Sequence, residues 1–87
     1  MRAKFKLEFT PRFERRFKSL DREIQIRILR EVQILTGTPY AGKMLRGNWR
    51  NIYSLRVGDY RVLYLVSEDK LILLSVGHRK RIYQNVK

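Results

Sequence analysis

Polar and apolar residues alternate from Lys4 to Phe9, with Phe5, Leu7 and Phe9 on one side and Lys4, Lys6 and Glu8 on the other. A period of two predicts a half-buried strand. Thr10-Pro11 follows, a helix-capping residue and then the residue best tolerated in a first turn. Phe13, Phe17 and Leu20 recur at helical spacing, opposite Arg12, Arg15, Arg16 and Lys18, so a short basic helix is expected. Asp21 can cap a second helix running to about Thr36, with Ile24, Ile28, Val32 and Leu35 as its buried stripe. Glu23 and Arg27 fall at the i,i+4 spacing that favours pairing. Gly37 and Pro39 end the helix. Tyr40 to Asn51 reads as a loop, with a short strand or turn near Met44-Leu45. Three strands then follow: Ile52–Val57, Tyr60–Ser67 and Leu71–His78. Val, Ile, Leu and Tyr dominate them, as half-buried pleated surfaces require. The order β-α-α-β-β-β predicts an α+β domain over residues 1–87, its two N-terminal-half helices on one face of a small, mainly antiparallel twisted sheet.

The hairpin turns place side chains. A two-residue loop at Gly58-Asp59 sets Arg56 opposite Arg61, Leu55 opposite Val62 and Ser54 opposite Leu63. Like charges directly opposite one another destabilise a sheet. Two guanidiniums kept together suit a phosphate, which each can bind through paired N–H groups; alternatively they diverge into water. A second loop at Glu68-Asp69, with unbroken register, sets Arg61 opposite Val76. It brings His78 onto the Arg56–Arg61 face, beside Arg79, Lys80 and Arg81. Leu55, Val57, Tyr60, Val62, Tyr64 and Leu73 form the reverse face, expected to meet the helices. Leu63, Leu65, Ile72 and Leu74 are expected on the Arg61 face as an exposed apolar patch.

Charge narrows the function. Twenty Lys and Arg against eight Asp and Glu give +12 over 87 residues. Such an excess draws polyanions, nucleic acid first among them. The chain has no cysteine, which excludes disulfides, thiolate metal sites and cysteine nucleophiles. Neither a membrane-length apolar run nor a secretory leader is expected, so the predicted location is the cytoplasm. Gly-rich phosphate loops, HExxH, GxSxG and clustered carboxylates are missing. Any nuclease chemistry is therefore expected to use Arg, Lys, His and Tyr, with no metal and no cofactor. His78 is the single histidine. As a neutral imidazole it could accept a proton; otherwise it is structural. Tyr83, Trp49 and Tyr53 could each stack on a base or pack in the fold.

The sequence resembles the RelE/ParE toxin superfamily over nearly its whole length. Phe13-Glu-Arg-Arg-Phe-Lys-Ser-Leu20 is similar to that family's first helix, and Leu45-Arg-Gly47 to its entry into the second strand. Leu55-Arg-Val-Gly-Asp-Tyr-Arg-Val-Leu-Tyr64 resembles its central hairpin, and Val76-Gly-His-Arg-Lys-Arg-Ile-Tyr83 its C-terminal signature. The resemblance implies a RelE-like mRNA interferase of a type II toxin–antitoxin system. Such enzymes act in the ribosomal decoding site, where a ribose 2′-OH attacks the adjacent phosphate. It implies catalytic roles for Arg61, Arg79, Tyr83 and His78, and RNA binding by Lys43, Arg46, Arg56, Lys80 and Arg81. It implies an antitoxin, the ribosome and mRNA as partners. Two strand positions that hold lysines in ribosome-dependent members hold Ile52 and Ser54 here. That departure keeps open an impaired member that binds RNA or antitoxin without cleaving, and the shared scaffold keeps open a ParE-like gyrase-poisoning toxin.

Overall fold

In a computed structural model of the chain, residues 4–45 and 51–82 are described. Strand β1 (Lys6–Phe9) leads into helix α1 (Pro11–Lys18) and helix α2 (Arg22–Leu35). Strands β2 (Lys43–Met44), β3 (Ile52–Val57), β4 (Tyr60–Ser67) and β5 (Lys70–His78) follow. The five strands form one sheet in the order β1-β5-β4-β3-β2. Only β1 runs parallel to its neighbour, β5; the other pairs are antiparallel. The predicted α+β class and element order hold, and β2 occupies the site of the anticipated short strand.

The helices cover one sheet face, α1 against β5 and α2 against β3. Phe13, Ile28, Val32 and Leu35 meet Val57, Val62, Tyr64, Leu71, Leu73 and Val76 in a buried cluster. Each such side chain contributes about 1.5–3 kcal/mol by leaving water. Ile24, Phe17 and Leu20 lie at the margin of this core, partly buried. Phe9 is 42% exposed, because β1 is an edge strand and its last residue overhangs α1. Glu23 and Arg27 form no ion pair among the described residues. Arg27 instead reaches the β3–β4 turn, its guanidinium about 3.2 Å from where a Cβ on Gly58 would sit. Gly58 has φ of +62°, which the turn demands and glycine supplies without strain.

Strand β5 departs from unbroken alternation. The β4–β5 loop is the anticipated one, with Ser67 opposite Lys70. Further along, Tyr64 pairs with Leu73 but Leu63 pairs with Ser75, so Leu74 is an extra residue. This β-bulge shifts the register by one. Thr10 occupies the irregularity: its hydroxyl donates to the Leu73 carbonyl at 2.8 Å and approaches that of Leu74 at 3.1 Å. The same oxygen accepts from the Phe13 N–H at 3.2 Å, capping α1. The bulge puts Val76 into the helix-side core beside Leu71 and Leu73. It also overturns two expectations. Arg61 faces Gly77 rather than Val76, and His78 lies opposite Tyr60 on the helix side, away from Arg56 and Arg61. The exposed apolar patch does not form either. Leu63 is 1% exposed, and Leu65, Ile72 and Leu74 are half-buried.

The loop before β2 is fastened from inside. The Gly42 N–H donates to the buried Tyr64 hydroxyl at 2.9 Å. A Cβ on Gly42 would lie 2.6 Å from that oxygen and 3.0 Å from the Ser54 carbonyl. Gly42→Ala is therefore expected to destabilise the fold by about 1–3 kcal/mol, the usual cost of overpacking, measured by urea unfolding. Burial raises the Tyr64 hydroxyl above its ordinary pKa of 10.0, partly opposed by the Gly42 N–H and assisted by Tyr53. The unfolded chain thus ionises this group first. Its contribution to stability is complete below about pH 10 and is lost as pH rises through the folded-state value. The thermal midpoint should accordingly fall more steeply above that pH in the wild type than in Tyr64→Phe.

Candidate nucleic-acid interface

Sheet parity gathers cations on the face away from the helices. Arg56 lies directly opposite Arg61, as the turn predicted. Lys43 on β2 lies opposite Ser54, which shares this face with Arg56 two residues on. Three of the predicted RNA-contacting or catalytic residues, Lys43, Arg56 and Arg61, thus come together. Arg46 and Tyr83 lie outside the described residues, as does Trp49.

The two opposed guanidiniums do not collide. The Arg56 Nε donates to the Gly58 carbonyl at 3.2 Å, leaning toward the turn. The Arg61 Nη1 donates to the Ser54 hydroxyl at 3.0 Å, leaning away from it. Each uses one donor of five and keeps the others for an anion. Ser54 is only 3% exposed, so Arg61 is held from a buried base. Sequence reasoning treated Ser54 as a missing lysine, and the structure makes it the anchor of Arg61. The hairpin register set Ser54 opposite Leu63, on the Arg61 face and diagonal to Arg61, which was the signal available.

Arg79 sits at the turn end of the same sheet. Its N–H donates to the Asp59 carbonyl at 2.8 Å, and its Nε lies 4.0 Å from the Asp59 carboxylate. Both side chains are more than half exposed, so the pair adds little stability. Its effect is positional: the β3–β4 turn carries the chain segment that follows β5. His78 is turned elsewhere. Its ring meets Tyr60 edge-on at 5.6 Å, and its Nδ1 accepts the Lys80 N–H at 3.2 Å. With Nδ1 accepting, the proton of the neutral ring resides on Nε2, where the imidazole donates. Lys80 and Arg81 accompany His78 in one hollow. Near it stand Arg16 and Tyr60, which sequence reasoning did not single out for function.

A helix pair covers one sheet face, and the opposite face is basic and acid-poor. The model of the family described as the ParE toxin of the type II toxin–antitoxin system parDE matches residues 7–83. The chain belongs to this family, within the RelE/ParE superfamily, and is a type II toxin. Among solved structures it is similar to the toxin–antitoxin complex RelBE2 from Mycobacterium tuberculosis. The TM-score there is 0.83 at 27% identity, covering 88% of this chain and 100% of that one. The RelB–RelE complex from Methanococcus jannaschii gives 0.75 at 27% identity, covering 92% and 99%. The intact RelBE complex of E. coli gives 0.72 at 26% identity, covering 85% and 95%. No curated protein sequence matches the chain. Among the described residues, no helix is long and apolar enough to cross a membrane.

The like-charge pair is expected to trade stability for anion binding. Arg56→Glu replaces repulsion by attraction across the strand pair. It should stabilise the fold by about 0.2–1 kcal/mol, an effect that shrinks as salt rises, while weakening RNA binding. Chemical denaturation at two ionic strengths, beside a filter-binding titration, measures both.

Proposed function

We propose that this toxin is a ribosome-dependent, metal-independent endoribonuclease that cleaves mRNA in the cytoplasm and is held inactive by a cognate antitoxin. The observation that carries the reading is the divided arginine pair. Arg56 and Arg61 are directly opposed, pulled apart by Gly58 and Ser54, and joined on their face by Lys43. Such an arrangement is electrostatically costly unless an anion occupies it. A phosphodiester fits, because its non-bridging oxygens can take a donor from each guanidinium.

In this reading the ribose 2′-oxygen attacks the neighbouring phosphorus as it loses its proton, and the 5′-oxygen leaves as it gains one. Extra negative charge develops on the phosphoryl oxygens. Arg61 binds that phosphate from its Ser54 anchor. Arg79, carried by the Asp59 turn, stabilises the charge or the departing oxygen. Fixed donors of this kind reorganise little during reaction, which is why they are effective. Tyr83 stacks on or orients the nucleotide, and Lys43, Arg46 and Arg56 hold the flanking backbone. His78 is not assigned as the base, since it lies on the other face with Nδ1 engaged. Proton removal is assigned to the ribosome–mRNA complex. The antitoxin reading is supported by the RelB partners of the toxins in the similar structures.

Arg61→Ala or Arg79→Ala should lower cleavage of translated mRNA by about 10²–10³-fold, the cost of losing one transition-state donor, read by primer extension. Ser54→Ala should lower it less, through the mobility of Arg61. Intact message in the presence of folded wild-type toxin and translating ribosomes would sink the proposal. A second reading, a ParE-like gyrase poison, is favoured by the matching family model. Accumulation of cleaved gyrase–DNA complexes without RNA cleavage would select it.

A further inference from the structure

The helix side of the sheet carries a second cationic site. A cleft of about 330 Å³ opens between α1 and the end of β5. Its polar wall is Arg16, Ser19, Tyr60, His78 and Arg81, over an apolar floor that includes Val76 and Ile82. A second hollow of about 290 Å³ is lined by His78, Lys80 and Arg81, and so adjoins it through shared residues. Among the described residues, no carboxylate lines either one. Among the described residues Arg16, Lys80 and Arg81 form no ion pair.

The bulge builds this cleft. Without the bulge, in a ladder that paired Leu74, His78 would point to the Arg61 face and Gly77 to the helix side. With it, the imidazole stands against Tyr60 and close to Arg16. The Lys80 N–H on Nδ1 leaves Nε2 as the ring's free position, a donor in either protonation state. Gly77 keeps the opposite side small. A Cβ there would already lie 3.4 Å from Ile82 Cδ1, the side chain that folds the chain back after β5. The Arg81 and Ile82 N–H groups both donate to the His78 carbonyl, at 2.9 and 3.0 Å, fixing that return.

We infer that this cleft is a phosphate-binding site for the RNA backbone, separate from the Arg56–Arg61 face. One carboxylate would need one cation. Three cations and an imidazole donor along two adjoining hollows, with an aromatic wall, fit a chain of phosphates carrying bases. The Asp59–Arg79 end of the sheet lies between the two faces, so a strand gripped by Arg61 can pass around it and place a further phosphate against Arg16. The inference rests on RNA as the ligand, but not on its cleavage.

The test reads binding. The imidazole signals of His78, unique in the sequence, are followed by NMR as inorganic phosphate is added to the full chain, and then as RNA is added. Two RNA probes are used: a single strand with 2′-deoxy positions that prevent cleavage, and a folded hairpin. Saturable movement of the His78 signals is expected with phosphate, weakened at least about threefold in Arg16→Gln. Lys18→Gln, which removes the same charge elsewhere on α1, should leave it unchanged. Arg16→Gln should also reduce the salt dependence of single-strand binding by about 0.7 in log–log slope, the value for one phosphate contact. Preference for the single strand identifies the gripped message as the source of the phosphate; preference for the hairpin identifies a folded RNA. His78 signals that do not move, that move equally in Arg16→Gln, or that respond as strongly to an oligoglutamate peptide overturn the inference. Loss of cleavage with His78 binding intact would sink the nuclease reading and leave this site standing.

Discussion

One threonine hydroxyl holds the two ends of the sheet in agreement. Thr10 caps α1 through the Phe13 N–H and donates to the carbonyls at the β5 bulge. The cap alone is worth about 0.5–2 kcal/mol. The larger consequence is geometric. A bulge on β5 leaves backbone groups that its neighbours in the sheet cannot serve, and a buried carbonyl without a donor is costly. Thr10 removes that cost where β1 stops pairing and the chain turns into α1. Beyond this point the register of β5 sets the side on which Val76, Gly77 and His78 stand, and Thr10 serves the bulge with its backbone N–H on the Leu73 carbonyl as well as with its side chain.

The two sheet faces divide the charge between them. The far face holds Lys43, Arg56 and Arg61, and the helix side holds Arg16 and Arg81 with His78. A protein of +12 would strain if its cations were gathered in one place. Here the strain is relieved by local acceptors. Gly58 and Ser54 draw the paired arginines apart, and Asp59 takes Arg79. These acceptors are mostly neutral, so they orient the cations without cancelling them. The face stays electropositive while its members stay apart, the condition for receiving a polyanion.

Much of this was legible in the residues. Gly58-Asp59 announces its turn, and a two-residue turn leaves no freedom in which residues oppose, so the Arg56–Arg61 pair could be placed without coordinates. The stripe Ile28, Val32 and Leu35 was equally plain. The β5 register was not. The loop at Glu68-Asp69 is the anticipated one, and the slip arises further on at Leu74, at a bulge no turn residue marks. A weaker signal was present. Unbroken alternation from Leu71 and Leu73 would bury Ser75 under the helices and expel Val76, and the reverse is the better use of both side chains. The anchoring role of Ser54 was hidden for another reason. A family pattern asks which residue is missing, whereas the neighbour across the strands shows what the replacement touches.

The Thr10 contact also bears on how the molecule comes into being. It joins residues 63 positions apart, and β1 pairs in parallel only with β5, the last strand. Closing so long a loop delays the pairing relative to the local hairpins. During synthesis, β3 and β4 can pair as soon as they emerge, but α1 has no sheet to lie on until β5 follows. The helix-side core and the cleft beside it are therefore completed only after β5 has been made.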